Sequence, residues 1–187
     1  MLAGVYQTVS PYGIELHEFS LDEAGATDLG VVFANTDSKY LIASTPTRGP
    51  VRAAVFSGQD AQLGAVLIEI ESSGSGWVEK RRTPVEMLGV SSVDEPHLSA
   101  DGLRLVFVSY GGGVVVGGGG QEADPPTMDP TSPDQPVYYA DRASRDEPFG
   151  MARPLMTVPG FVQWPYLTED CGRIYFSALN TVFYLRQ

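Results

Sequence analysis

Hydrophobic positions along the chain fall in short runs, many of them alternating with polar positions, and Gly, Pro, Asn, Asp and Ser separate the runs. Alternation with a period of two is typical of strands that bury one face, and no long apolar stripe has helical spacing. The pattern therefore predicts an all-β chain built from antiparallel meanders. The strands it predicts are Gly4 to Ser10, Ile14 to Leu21, Leu29 to Ala34, Lys39 to Ser44, Ala65 to Glu71, Leu103 to Tyr110, Val137 to Arg142, Gly172 to Ala178 and Thr181 to Arg186.

One segment, Gly111 to Pro136, departs from this pattern. It contains two glycine runs, five prolines and several acidic residues, and its apolar residues bury too little area to offset the entropy of ordering. We expect residues 111–136 to be a flexible Gly/Pro-rich insertion within a single domain that covers residues 1–187. Loops of this length are usually exposed insertions or ligand clamps, and the composition favours an insertion.

An internal repeat is the most informative feature of the sequence. Pro96 to Phe107 aligns without a gap with Pro165 to Phe176. With the insertion removed from the separation, the period is about forty residues, the size of a four-stranded propeller blade. The matching positions include Pro96 and Pro165, Leu98 and Leu167, Ser99 and Thr168, Asp101 and Asp170, Leu105 and Ile174, and Phe107 and Phe176.

Each copy of the repeat predicts a tight turn between two strands. Asp101 in the first copy, followed by Gly102, and Asp170 in the second are expected to accept hydrogen bonds from backbone amides of the turn. The proline of each copy is expected to open the innermost strand. Leu105 with Phe107, and Ile174 with Phe176, are expected to alternate onto one face that packs against the adjacent blade.

Weaker copies extend the repeat towards the N-terminus. Val31 to Ile42 preserves the order of strand, polar turn, basic residue and strand, so we interpret it as a degenerate third copy. Val66 to Val85 and Val137 to Leu155 each contain a strand, a polar turn, an aromatic residue and a return strand. These two segments are predicted to form the outer halves of blades.

Pro96 to Phe107 resembles the repeat of the bacterial TolB-like, WD-like β-propeller family. The family signature runs Pro-x-Leu-Ser-Pro-Asp-Gly, then two residues, then an apolar strand that ends in Phe. Ala100 and Glu169 stand in place of its second proline, and Cys171 stands in place of its glycine. The resemblance covers Ser92 to Gln187, where Tyr138 to Ser144 and Pro148 to Gly150 also match the family pattern, and it does not extend to Met1 to Arg82.

The resemblance implies four-stranded antiparallel blades, about three to four of them, with the first and last incomplete. Because closure normally takes at least four blades, we expect a partial or open propeller, either as a fragment or as a chain that closes by association. Open strand edges normally recruit another chain, so self-association is expected. Under this interpretation Pro96, Asp101, Gly102, Phe107, Pro165, Asp170 and Phe176 are structural residues of the repeat.

The resemblance also implies a non-catalytic binding or scaffold module for a protein or peptide, in the periplasm or elsewhere outside the cytoplasm of a bacterium. Met1 to Gln7 shows no secretory signal, so a cytoplasmic location is the alternative. The alternative function is the propeller portion of a larger hydrolase, a glycosidase or a peptidase, whose catalytic residues lie mostly elsewhere. Fold alone does not decide between these functions.

Charge argues against two classes of partner. The chain has 12 Lys and Arg against 23 Asp and Glu, and its net charge of -11 would repel a phosphate backbone or an anionic lipid surface. No window contains the roughly eighteen consecutive apolar residues of a membrane helix. Nucleic acid and membrane insertion are therefore not expected.

Residues with catalytic or metal-binding chemistry are few. His97 takes the repeat position of Tyr166 and is predicted to be architectural, while His17 is predicted to face solvent. Cys171 is the single cysteine, and Arg173 is the one basic residue beside it in the sequence, so a lowered thiol pKa is not expected. No HExxH, nucleophile-elbow or phosphate-loop pattern occurs. We therefore expect no catalytic residue, no metal and no cofactor.

The acidic residues allow two weaker hypotheses. Glu122, Asp124, Asp129 and Asp134 could approach a calcium ion, but prolines interrupt them and they lack EF-hand spacing. Glu69 with Glu71, or Asp94 with Glu95, could form the carboxylate pair of a glycosidase. Solvated surface charge is the expectation for all of them.

Overall fold

The computed structural model describes residues 2–3, 14–22, 25–35, 42–43, 52–73, 76–109, 135–158, 162–178 and 181–186, and most of these lie in β-strands. The described strands form four sheets. The first sheet contains β1 (Leu2–Ala3), β2 (Ile14–Asp22) and β3 (Gly25–Asn35), and the second contains β4 (Ile42–Ala43), β5 (Ala53–Asp60), β6 (Gly64–Ser73) and β7 (Gly76–Pro84). The third contains β8 (Asp94–Leu98), β9 (Arg104–Val108), β10 (Gln135–Asp141) and β11 (Arg153–Val158), and the fourth contains β12 (Val162–Leu167), β13 (Arg173–Ala178) and β14 (Thr181–Arg186).

Within each sheet, strands that follow one another in the chain are neighbours, and every pairing is antiparallel. Each sheet is thus an up-and-down meander, as in a propeller blade. The prediction of an all-β chain of blade-like sheets is confirmed, with two four-stranded and two three-stranded sheets in the described part. A short 3-10 helix, Val85–Leu88, links the second sheet to the third.

The second, third and fourth sheets pack against one another in chain order, with contacts between β5 and β8 and between β8 and β12. Buried residues of the second and third sheets form one apolar cluster, which includes Leu105 and Phe107. A second cluster joins the third and fourth sheets and includes Ile174 and Phe176. Each apolar pair of the repeat therefore packs against the preceding sheet, which confirms the predicted alternation.

Two described strands, β1 and β5, escaped prediction, whereas β7 and β11 were predicted as the return strands of the outer halves and β8 and β12 as the strands that the prolines open. β7 carries a run of charges, and β8, β11 and β12 each contain a proline, which removes a backbone donor and usually argues against a strand. Pro96 and Pro165 lie inside β8 and β12, so the prediction that they open these strands is wrong. The register of each strand shifts next to its proline, and such an irregularity tolerates a missing donor.

Of the predictions made for the weaker copies of the repeat, one is wrong and one is confirmed. Val31 to Ala34 lies in β3 of the first sheet, whereas Ile42 lies in β4 of the second. The segment thus connects two sheets, and its interpretation as a third copy of a turn within one sheet is wrong. The two outer halves correspond as predicted, because they form β6 with β7 and β10 with β11.

The predicted insertion lies between β9 and β10, which are neighbours in the third sheet. Val108 pairs with Val137 across these strands. Residues 110–134, including the acidic residues of the calcium hypothesis, lie outside the described residues, as do Gly4 to Ser10 and the His17 side chain. Gln135 and Pro136 already belong to β10, so the segment that departs from the strand pattern ends two residues earlier than expected.

In the described part of the chain, no helix is long and apolar enough to cross a membrane.

Candidate functional site

The two repeat copies form the same turn. Ser99 donates from its hydroxyl to Asp101 Oδ1 at 2.6 Å, and the Leu103 amide donates to the same oxygen at 2.9 Å. Asp170 accepts the equivalent bonds from the Thr168 hydroxyl at 2.6 Å and the Gly172 amide at 2.9 Å. The Asp101 and Asp170 carboxylates therefore accept turn amides as predicted.

These bonds set the protonation of both aspartates. Burial raises the pKa of Asp101, but the bonds from Ser99 and Leu103 outweigh it and hold the pKa below its usual value. The bonds from Thr168 and the Gly172 amide also lower the pKa of Asp170. Both side chains are ionised turn anchors.

Cys171 takes the turn position that Gly102 takes in the first copy. Both residues have positive φ, 54° for Cys171 and 73° for Gly102, a conformation that glycine adopts without strain. Burial raises the pKa of the Cys171 thiol, which keeps it protonated and disfavours a nucleophilic role. Cys171 is a structural substitute for glycine.

Glu95 and Trp164 occupy equivalent positions in β8 and β12 and share an unusual backbone. Their φ angles are 50° and 51°, and each lies where the pairing with the next strand shifts register. The Glu95 carboxylate accepts a hydrogen bond from the Trp164 amide, which ties the third sheet to the fourth. The Trp164 residue is 66% exposed. A fixed backbone thus presents a large aromatic side chain to the surface.

His97 and Tyr166 are also equivalent positions, and their rings are in contact with centroids 4.6 Å apart. Burial lowers the pKa of His97 to about 4, although its hydrogen bond to the Leu167 backbone acts in the opposite direction. His97 is 8% exposed. It is a neutral ring between two inner strands, in agreement with the architectural interpretation.

A row of three tyrosines crosses the fourth sheet. Tyr175 pairs directly with Tyr166 on one side and with Tyr184 on the other, so the three side chains share one face. Tyr184 is 61% exposed and Tyr166 is 42% exposed. We call this row, together with Val182 on the same face of β14, the aromatic face.

The repeat explains why the aromatic face is unusual. The equivalent row in the third sheet consists of His97, Val106 and Tyr139. The fourth sheet covers that row, since Val106 and Tyr139 belong to the cluster shared by the two sheets. The aromatic face is therefore the surface on which a following layer would pack, and no described residue covers Tyr184 or Val182 to that extent.

The last described strand of the fourth sheet, β14, differs in sequence from the outermost strands of the second and third sheets. β7 carries Glu79, Lys80, Arg81 and Arg82, and β11 carries Pro154, features that discourage further pairing at a sheet edge. β14 reads TVFYLR, with no proline, no lysine and its single charge at the end. In the described part of the chain β14 pairs with β13 alone.

One end of the aromatic face carries two adjacent arginines. In the third sheet Arg104 pairs with Asp141, and the Arg104 Nε lies 2.6 Å from the Asp141 Oδ1. At the equivalent positions of the fourth sheet, Arg173 pairs directly with Arg186. Like charges that face each other across strands are unfavourable. Neither arginine has a salt bridge to another described residue, so the acidic partner that the repeat supplies once is replaced here by a second cation.

The seven residues that the sequence assigned to the repeat are buried or form turns. Pro96, Gly102 and Pro165 are buried, as are Phe107 and Phe176, while Asp101 and Asp170 anchor the turns. None of these seven lines the aromatic face. Trp164 and Tyr184 were not singled out from the sequence. The available signals were the absence of proline and lysine from β14 and the presence of Arg186 at the repeat position of Asp141.

The expectation of solvated charge is wrong for Glu69. Only 3% of this residue is exposed, and its Oε2 accepts a hydrogen bond from Arg142 Nη1 at 2.5 Å. Arg142 also donates from Nε to the Gly102 carbonyl at 2.8 Å and lies 4.2 Å above the Phe149 ring. Glu69 is thus one half of a buried ion pair between the second and third sheets.

The other carboxylates of the glycosidase hypothesis also have contacts within the chain. Glu71 binds Lys80 at 2.8 Å, and Asp94 accepts a hydrogen bond from the Ser92 hydroxyl at 2.6 Å. Glu95 binds the Trp164 amide. Among the described residues, no three His, Cys, Asp or Glu side chains are grouped as metal ligands would be.

No family model matches this chain, and no curated protein matches it. Among solved structures, the chain is similar to an acylaminoacyl peptidase in complex with Z-Gly-Gly-Phe-chloromethyl ketone, with 12% sequence identity and a TM-score of 0.34. The match covers 74% of this chain and 17% of the peptidase chain, so this chain spans a small part of that protein. A likeness of this degree does not assign the chain to a family.

Proposed function

We propose that the chain is a non-catalytic module of blade-like sheets that binds a protein or peptide through the aromatic face. The observation that carries the proposal is the exposure of Tyr166 and Tyr184 at positions whose counterparts, His97 and Tyr139, are covered in the third sheet. Tyrosine, tryptophan and arginine dominate the binding energy of protein interfaces. The tyrosines of the aromatic face and the adjacent Arg173 and Arg186 therefore fit a protein or peptide ligand.

The contacts of the candidate catalytic groups support a non-catalytic role. Glu69 is held in a buried ion pair, Asp94 and Glu95 are hydrogen-bonded, and Cys171 is a protonated thiol in a turn. The location outside the cytoplasm is a further part of the proposal, and it is supported by the resemblance of the repeat to bacterial envelope propellers.

The proposal can be tested by selecting peptides from a random library on the immobilised chain and measuring their affinity by calorimetry. We expect selected peptides to bind the chain and to lose at least about tenfold in affinity, or about 1.4 kcal/mol, in the variant Tyr184→Ser. The loss follows from removal of the most exposed tyrosine of the aromatic face, since aromatic residues contribute much of the binding energy of interfaces.

Val78→Ser is the matched control, because Val78 is an exposed apolar residue on the outer strand of the second sheet. Its affinity for the same peptides should equal that of the unchanged chain, and circular dichroism should show that both variants fold. Failure to enrich any peptide, or an equal loss of affinity in the two variants, would refute the proposal.

A further inference from the structure

We infer that His97 makes the joint between the third and fourth sheets sensitive to acid, so that a proton on its ring releases the fourth sheet while the second and third sheets stay together. The inference concerns a conformational change of the chain and does not depend on the proposed function. It is carried by contacts that described residues of β8 and β12 make with each other.

His97 lies inside the apolar packing of this joint. It pairs with Val106 across β8 and β9, and Val106 belongs to the cluster shared by the third and fourth sheets. The His97 ring contacts the ring of Tyr166 and is hydrogen-bonded to the Leu167 backbone, and both of these residues lie on β12. Because 8% of His97 is exposed, a charge on its ring would lie among apolar side chains with little access to water. Protonation is therefore unfavourable as long as β12 covers the ring.

The elements packed against β8 supply no ready counter-charge among the described residues. β4 and β12 contain no charged residue. β5 carries Asp60, which binds Arg82 at 2.6 Å. β9 carries Arg104, which binds Asp141 at 2.6 Å. Burial of the ring accordingly lowers the pKa of His97 to about 4.

Glu95 gives the same joint a second contact that acid weakens. Its carboxylate accepts a hydrogen bond from the Trp164 amide on β12. An ionised carboxylate is a stronger acceptor than a protonated one, because charge assistance makes such a bond about twice as strong as a neutral one. Asp94, the other acidic residue of β8, accepts a hydrogen bond from the Ser92 hydroxyl at 2.6 Å. The contacts of His97 and Glu95 with β12 therefore both weaken when these side chains take up a proton.

The joint between the second and third sheets has a different chemistry. Besides its buried ion pair, the Ala152 amide donates to the Leu88 carbonyl at 2.8 Å, and Arg81 donates to the Asp146 carbonyl at 2.5 Å. Carbonyl acceptors do not titrate, so these two bonds keep their strength in acid. The described members of the apolar cluster in this joint include no histidine. Acid should therefore open the fourth sheet first.

Hydrogen exchange of the full chain, followed by mass spectrometry at pH 7, 5.5 and 4, tests the inference. Exchange rates corrected for the intrinsic pH dependence of amides give the equilibrium constant of local opening for each sheet. For β12 and β13 this constant should rise about a hundredfold between pH 7 and pH 4, because the opened ring takes up a proton at its ordinary pKa of 6.5 and the covered ring only near 4. For β5 and β6 the rise should be less than about tenfold.

Two variants separate His97 from other titrating groups. His97→Phe keeps a ring beside Tyr166, and His97→Gln keeps an amide that can donate to the Leu167 backbone. Either variant should remove most of the rise in β12 and β13, whereas Asp141→Asn, at the more exposed ion pair of the third sheet, should leave the rise unchanged. Equal rises in the second and fourth sheets of the unchanged chain, or a full rise in the His97 variants, would overturn the inference.

A second measurement needs no substitution at the joint. The chain has two histidines, so His97 is the one histidine of the variant His17→Gln. NMR titration of its ring in that variant should give a midpoint near 4. A midpoint near 6.5 would show that the ring is already in contact with water at neutral pH, and the inference would fail.

Discussion

Single residues in the fourth sheet depart from their counterparts in the third without changing the backbone. Trp164 replaces Glu95 at the same φ, Cys171 replaces Gly102 in the same turn, and Arg186 replaces Asp141 at the same register. Trp164 and Arg186 make the surface aromatic and basic where the third sheet has the acidic residues Glu95 and Asp141. The second replacement places a side chain where the backbone favours glycine.

The strain at Cys171 leads to the first prediction at this scale. Cys171→Gly should raise the free energy of unfolding by about 0.5–1 kcal/mol, because relief of left-handed strain, about 1–2 kcal/mol, exceeds the added entropy of the unfolded chain. Urea denaturation measures the change. Gly102→Ala is the matched comparison and should be destabilising, since its Cβ would lie 3.0 Å from Arg145 Nε at a φ of 73°. If Cys171→Gly were as destabilising as Gly102→Ala, the turn would depend on the thiol.

The buried ring of His97 leads to a prediction about pH. Its folded pKa of about 4 lies below the ordinary value of 6.5, so in this window the unfolded chain binds more protons than the folded chain. The contribution of the neutral His97 ring to the free energy of unfolding is fully present above pH 6.5 and is lost as the pH falls to about 4. The loss should reach about 3 kcal/mol, and unfolding measured at pH 7, 5.5 and 4 checks it.

The variant His97→Phe separates this contribution from the titration of carboxylates in the same range. It lacks the histidine proton but keeps a ring beside Tyr166, so its stability should fall less steeply between pH 6.5 and 4. The slopes of the two proteins are compared, because the substitution also removes the hydrogen bond to Leu167. Identical slopes would mean that His97 does not titrate in this window.

At the scale of elements, side chains near the ends and centres of strands join one sheet to the next. Glu69 on β6 binds Arg142, which follows β10, and Arg81 on β7 donates to the Asp146 carbonyl at 2.5 Å. The Ala152 amide donates to the Leu88 carbonyl at 2.8 Å, which ties the segment before β11 to the 3-10 helix. The second and third sheets are thus joined by polar contacts as well as by their apolar cluster.

The buried pair gives the prediction for this interface. Glu69→Gln should lower the free energy of unfolding by about 3–5 kcal/mol, because it leaves the buried Arg142 guanidinium without its counter-charge. Asp141→Asn breaks the more exposed pair with Arg104 and should cost less than about 1 kcal/mol. Chemical denaturation of both variants gives the comparison. Similar costs for the two substitutions would show that the Glu69 pair is effectively solvated.

At the scale of the whole molecule, the repeat and the apolar alternation were sufficient to predict the meander architecture and the hydrogen bonds of Asp101 and Asp170. The return strand β7 was predicted only as part of an outer half, without bounds, because its sequence is highly charged. β7 is charged because its arginines and lysine find partners on β5, β6 and the segment after β10. Contacts of that kind join residues far apart in sequence and leave no local periodicity.

The candidate surface was less accessible to sequence reasoning for the same reason. Tyr166, Tyr175 and Tyr184 are neighbours only after strand register is set, and their exposure is informative only against the covered row of the third sheet. The Glu95 bond to Trp164 joins two sheets through a backbone amide, which carries no side-chain signal. The repeat alignment contained the relevant positions, but it did not show in which copy another sheet covers the row of side chains.

The direct pairing of Val108 with Val137 has a consequence for protein engineering. The two strands that flank the Gly/Pro-rich segment meet at the point where it leaves and rejoins the third sheet. A guest sequence grafted there would begin and end at positions already fixed side by side, so its length need not match any gap in the scaffold. Since the entropy of closing a loop grows by only about 0.6 kcal/mol for each doubling of its length, a reporter domain with neighbouring termini could replace the segment at modest cost to the host.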